Sequence, residues 1–255
     1  MFEVTNDIAA LLMLAAFLAG VVDSIAGGGG LITVPALLLA GVPPVTAIAT
    51  NKLQGTFGAA AAFVVYHRAG LVQVGPLRWA VAASALAAAG GTFGSHLIPA
   101  EALRLIIPAV LVGVALFFAF KPGLTDEARP ARVSPAVLAL TAVPLVAAYD
   151  GFLGPGTGSF FMLALVTLGG LGILRATAQA KLLNLASNLG SLAIFVWFGS
   201  VWFGIGLAMA AAQVAGATLG SRLAVLKGAR LVKPLLVIVS LALAARLILQ
   251  AVWEG

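Results

Sequence analysis

The sequence is written twice, and that duplication limits what it can fold into more than any other feature. The pattern A-x-A-x-x-K ends at Lys52 in "AIATNK" and again at Lys181 in "ATAQAK", 129 positions later. "GGTFGSHL" at 90–97 returns as "GATLGSRL" at 216–223, and "LRLIIP" at 103–108 returns as "ARLVKP" at 229–234, both displaced by 126. Asp23 and Asp150, 127 apart, each stand just before a glycine-rich stretch. Four motifs in one order at a nearly constant offset mark an internal repeat, so each half is expected to be one structural unit.

Each unit holds five apolar segments, at 8–22, 30–41, 45–66, 76–97 and 101–120, then at 134–149, 158–171, 174–198, 202–222 and 230–251. The chain is 62% hydrophobic and only 9% charged, whereas soluble domains carry about 25% charged residues. Its solvent is therefore lipid. The net charge of +6 comes from basic residues scattered between apolar runs, which suits membrane orientation rather than nucleic-acid binding. The last three segments of each half reach the ~20 residues a crossing needs. The first two are short, since a helix of ~12 residues rises only about 18 Å. The expected fold is an all-α polytopic membrane protein of two repeats, 1–121 and 134–255, joined by a cytoplasmic loop at 122–133. Each repeat combines a broken or re-entrant helix pair with three spanning helices. The opening "MFEVTNDIAALLMLAAFLAG" is acidic where a signal peptide needs a basic start, so it is read as part of the fold.

Loop charges relate the halves. Arg68 and Arg78 flank the connection between the third and fourth segments of the first half, while the matching stretch 199–203 is uncharged. The bias reverses at the next connection, where Arg104 against Glu101 faces Arg222, Lys227, Arg230 and Lys233. If basic loops lie in the cytoplasm, equivalent loops lie on opposite sides, which is an inverted repeat.

The glycine-rich breaks then acquire a purpose. Irregular backbone at membrane depth survives only where protein buries it or a cavity adjoins it. In inverted-repeat transporters such breaks bind substrate near the midplane. A helix opening from Leu31 or from Ser159 would point free N–H groups and a positive dipole end at an anion. Lys52 and Lys181 sit deep in their segments, where a charge costs ~3 kcal/mol and marks a functional site. A neutral methionine at either lysine is expected to fold at least as well. Thr177, Asn184 and Asn188 share the face of Lys181, and Asn51, Gln54 and Thr56 accompany Lys52. The anion-site candidates are Gly27, Gly28, Gly29, Gly30, Asn51, Lys52, Gln54, Gly154, Gly156, Thr157, Gly158, Lys181 and Asn184. Asp23 and Asp150 admit two readings, carriers of a coupled proton or caps of the turn that follows. The GxxxG pairs Gly90/Gly94 and Gly216/Gly220 are expected to bring helices close.

Competing chemistries are poorly served. There is no cysteine, and His67 and His96 stand alone, so neither a metal nor a cofactor is expected. "GGGGLITV" and "GPGTGSF" lack the GK[ST] ending of a P-loop. An intramembrane hydrolase using Ser159 would need a base that no neighbouring residue supplies. An anion channel would need a continuous polar pore.

The segments "GVVDSIAGGGGLITVPALLLAGVPPVTAIATNK" and "YDGFLGPGTGSFF" resemble the sulfite exporter TauE/SafE family of membrane transporters. The likeness runs over nearly the whole chain. It implies export of sulfur-containing anions such as sulfite or sulfonates, with Gly27 to Gly30, Lys52, Gly154, Gly156 and Lys181 carried over as anion-site positions. The halves differ in that Pro155 and Thr157 replace glycines of the first break, so any site is only quasi-symmetric. The implied setting is the plasma (inner) membrane, crossed several times. The expected partners are the lipid bilayer, a small anion, protons and a second copy of the chain.

Overall fold

A computed structural model describes residues 5–99, 106, 127–228 and 230. Apart from Ile106 and Arg230, the fifth segment expected in each half lies outside these residues. Every regular element among the described residues is helical: α1 (Asn6–Ala26), α2 (Gly30–Leu39), α3 (Pro44–Arg68), α4 (Val74–Ser95), α5 (Pro135–Leu140), α6 (Ala142–Phe152), α7 (Thr157–Thr167), α8 (Ile173–Trp197) and α9 (Phe203–Lys227). Four described stretches are long and apolar enough to cross a bilayer: α1, α5 with α6, α8 and α9. α3, at 25 residues, has the length too, but Thr50, Asn51, Lys52, Gln54 and Thr56 are buried along it and dilute its hydropathy. Large apolar side chains such as Leu86, Leu140 and Trp197 point outward, as lipid contact requires.

Local chemistry sets the boundaries. Thr5 caps α1, its side chain accepting the Ile8 N–H. α1 does not stop before Asp23 but runs on to Ala26, four residues past the end expected from hydropathy. It ends where Gly27 adopts φ +79°, a conformation that L side chains resist. α5 and α6 are separated at Thr141. Pro144 lies three residues on; it lacks an N–H, and its ring crowds the carbonyl of Leu140. α2 and α7, of 10 and 11 residues, remain short as the sequence suggests.

The halves interlock rather than sit side by side. α1 packs most extensively on α9, and α6 on α4, so each half's first limb embraces the fourth helix of the other. Small residues permit these approaches. A side chain at Gly216 or Gly220 would collide with the backbone of Phe17 or Val21, and one at Gly20 with the carbonyl of Gln213. The expected partner motif Gly90/Gly94 does not do this, because a Cβ at either meets nothing within 4 Å. Gly91 takes that role against Ala148, and Gly151 answers against Ala88. The Thr92 hydroxyl adds a 2.9 Å bond to the Gly151 carbonyl.

Contacts at the helix ends fix directions. Trp202, at the start of α9, donates its N–H to Thr50 Oγ1 near the start of α3, so these two helices run the same way. His96, after α4, reaches Ser200, after α8, at 3.4 Å, so these two also run together. The 127–134 linker bonds to the α7–α8 connection through Arg129 N–H to Gly170 O and Arg132 N–H to Leu168 O. It borders one cavity with Gly70, Leu71 and Gln73 of the α3–α4 turn. Arg68, Arg78, Arg129, Arg132 and Arg175 thus gather at the linker end. The opposite end, where α1 begins and α2 meets α3, carries Asp7.

Candidate functional site

The two glycine breaks meet in the middle of the molecule. A Cβ on Gly27 would strike the backbone of Gly158 and Ser159, and the Ser159 hydroxyl donates 2.8 Å to the carbonyl of Ala26. That bond occupies the serine an intramembrane hydrolase would have used and ties break to break. The second break turns at Gly156, φ +84°, so that α7 opens with its N-terminus at the centre. The Tyr149 hydroxyl holds the carbonyl of Pro155 at 2.6 Å, and the Thr157 hydroxyl holds that of Gly154 at 2.6 Å.

Around this crossing, each lysine finds the aspartate of the other half. Lys52 Nζ lies 2.6 Å from Asp150 Oδ1, and Lys181 Nζ lies 2.8 Å from Asp23 Oδ2. All four side chains are buried; Asp23 is the most accessible at 13%. The remaining carboxylate oxygens are also satisfied, by unlike donors. Asp23 Oδ1 accepts the N–H of Gly29 at 3.1 Å, whereas Asp150 Oδ2 accepts the Ser187 hydroxyl at 2.6 Å. Asp23 therefore caps its break, one of the two readings the sequence left open, and at the same time pairs with a lysine. Burial of such ions is tolerable only when paired and hydrogen-bonded.

A polar cavity of about 30 Å³ lies among these groups. Gly28, Gly29, Gly30, Asn51, Lys52, Gly154, Gly156, Thr157, Gly158 and Asn184 border it, together with Asp23 and Asp150. Three expected residues stand just behind this wall. Gly27 packs on Ser159, Gln54 donates to Asn51 Oδ1 at 3.2 Å, and Lys181 is drawn onto Asp23. The Thr33 hydroxyl completes the Asn51 network with a 2.6 Å bond to Oδ1. Gly55, Asn188 and Gln213 also border the cavity. Asn188 is legible from its place on the Lys181 face. Gln213 had one signal, a lone amide in an apolar run, and Gly55 had none.

A cavity of this size suits a water or two and is too small for an organic anion, so the site is closed in this conformation. A larger cavity, about 420 Å³, opens at the linker end between α4, α5, α6 and α8, with Arg175 and Gln179 among mostly apolar walls. At the other end Leu12, Ala16, Leu37, Val42, Ala47, Ile205 and Met209 pack into one cluster.

A polytopic helical membrane protein with paired ions at a central break is the class that fold and site define. Comparison with known proteins specifies it. The family profile described as Sulfite exporter TauE/SafE matches residues 12–247, and the chain belongs to that family of membrane transporters rather than to an enzyme family. It is 49% identical over 251 residues to the "Probable membrane transporter protein ORF9" of Sinorhizobium sp., covering 97% of this chain and 95% of that protein. It is 41% identical over 248 residues to the "Probable membrane transporter protein YfcA" of Escherichia coli K12, covering 97% and 92%. A "Probable membrane transporter protein" of Haemophilus influenzae is 38% identical over 251 residues, covering 98% of each chain. No solved structure matches the chain.

Proposed function

We propose that this membrane transporter is a secondary exporter of a small anion, of the sulfur-oxyanion, organosulfonate or carboxylate class, working by alternating access from the plasma membrane. The observation that carries the reading is the pair of crossed, buried Lys–Asp bridges at two touching helix breaks. Lys52 and Lys181 each lie eight residues into their helices, about 12 Å along the axis at 1.5 Å per residue. That depth is near the middle of a ~30 Å hydrocarbon core. Substrate reaches the lysines by displacing a carboxylate, with the N-termini of α2 and α7 adding N–H groups.

In this reading the two repeats, 1–121 and 134–255, have inverted topology. The support is directional: α3 and α9 start at one end while α4 and α8 start at the other, so repeat-related helices run oppositely. The arginines at the linker end make that end cytoplasmic. The filled wedge around Leu12 and Met209 closes the far side, and the 420 Å³ space at the linker end leaves the near side loose. That difference between the two ends is what alternating access needs. A channel finds no such support, since packed side chains separate the polar cavity from the far end.

The site is electrically neutral, with two lysines against two aspartates. Adding an anion to a buried neutral site is unfavourable unless another charge moves with it, so a proton on Asp23 or Asp150 is the natural companion. Flux of sulfite, methanesulfonate and acetate in proteoliposomes, with and without a pH gradient, tests this. At least one anion should show saturable flux that responds to the gradient. In one of the two variants Asp23→Asn and Asp150→Asn, flux should persist but lose that response. Absence of flux for all three in the wild type would overturn the anion reading.

A further inference from the structure

Gln213 belongs to neither ion pair and is the one residue of α9 bordering the central cavity. It lies mid-way along α9, is 3% exposed, and its Oε1 has no hydrogen-bond partner among the described residues. Room is made for it deliberately: a Cβ at Gly58 of α3 would run into its Cγ and Nε2. Its repeat counterpart, 126 positions earlier, is Ala87, so the amide is a one-sided addition and not a relic of duplication. Two other buried side-chain atoms among the described residues lack partners, Gln54 Oε1 and Ser191 Oγ. Neither residue borders the cavity, and Gln54 is anchored through Nε2 to Asn51. The Nε2 of Gln213 likewise makes no hydrogen bond among the described residues, and a buried amide donor beside a polar cavity calls for an acceptor, which an anion oxygen supplies.

We infer that Gln213 is a specificity residue of the paired-lysine site, its amide binding a second oxygen of an oxyanion whose first oxygen lies on Lys52. This rests on the anion reading proposed above. The terminal torsion of glutamine is soft, so the amide can turn Nε2 to an anion oxygen while remaining over Gly58. A multi-oxygen anion spans ammonium and amide together. A halide has one centre and cannot. Gln213 therefore separates oxyanions from chloride, the most abundant small anion.

The test uses the full chain in proteoliposomes, with sulfite as probe and chloride as competitor. Gln213→Met keeps length without the amide. It should raise the KM for sulfite by roughly ten- to a hundredfold, the range for one lost hydrogen bond to a charged group. Maximal flux should stay within about twofold, because the contact is made in the bound state, and chloride should compete better than in wild type. Gln213→Glu sets a carboxylate against the anion and should abolish sulfite flux at neutral pH. Melting temperatures in detergent show whether each variant is folded, and either folded variant decides the matter. Wild-type sulfite KM and unchanged chloride competition in a folded variant would overturn the inference and leave Gln213 a packing residue. If Lys52→Met, folded, also keeps wild-type flux, the anion reading itself fails, and this inference with it.

Discussion

Replacing Lys52 by methionine should destabilise the protein, although it removes a charge from the membrane interior. The pair with Asp150 spans 2.6 Å between side chains no more than 2% exposed, so little solvent screening applies. At an effective dielectric constant of 20 the gross attraction is about 6 kcal/mol. Desolvation of the two ions, several kcal/mol each, consumes most of that, which is why such pairs contribute little net stability. Taking away one partner is different, because Asp150 stays buried with only the Ser187 hydroxyl and loses its counter-charge. The expected loss is about 3–5 kcal/mol, a fall in melting temperature on the order of 10 °C for a chain of this size. Removing both charges, as Lys52→Met with Asp150→Asn, should recover stability to within about 1 kcal/mol of wild type. The four tryptophans report unfolding in detergent for the wild type, both single variants and the double. A coupling energy above ~2 kcal/mol is expected, and single effects that add within about 0.5 kcal/mol would refute the pair.

Two further outcomes follow from the breaks and the loops. Gly27→Ala should cost at least about 1–2 kcal/mol from its left-handed φ alone, with collision against Ser159 added, while Gly30→Ala, whose Cβ would lie 3.3 Å from Asn51 Nδ2, should disturb sulfite binding more than melting; equal melting losses would show both glycines to be packing residues. Cysteines placed at Ala69 and Ser200 in this cysteine-free chain should react with an impermeant thiol reagent from opposite sides of the membrane, and labelling from one side would exclude inversion.

The sequence revealed the site's components but not their partnership. Lys52, Lys181, Asp23 and Asp150 are conspicuous because charge is rare in apolar runs, and the duplication pairs them by position. That each lysine bridges to the aspartate of the opposite half is a product of tertiary packing, with no local trace. Tolerance of methionine at the lysines, reasonable for isolated charges, reverses once their partners are known. The length of α1 was hidden for a related reason. An aspartate argues for a helix end in lipid, yet Lys181 neutralises Asp23 and the helix continues to Gly27. A small-residue stripe shows that helices pack closely but not which face does so, hence Gly91 rather than Gly90 and Gly94. Gln213 escaped because, unlike Asn184 and Asn188, it shares no helix face with a buried lysine that would mark it.

Sulfite flux through the Lys52→Met/Asp150→Asn protein tests the central claim most directly, since this variant is expected to be folded and yet to lack one of the two crossed bridges. If the bridges form the anion site, the reconstituted double variant melts near the wild type and carries no sulfite above empty liposomes. Wild-type flux from that folded protein would place the transport site elsewhere.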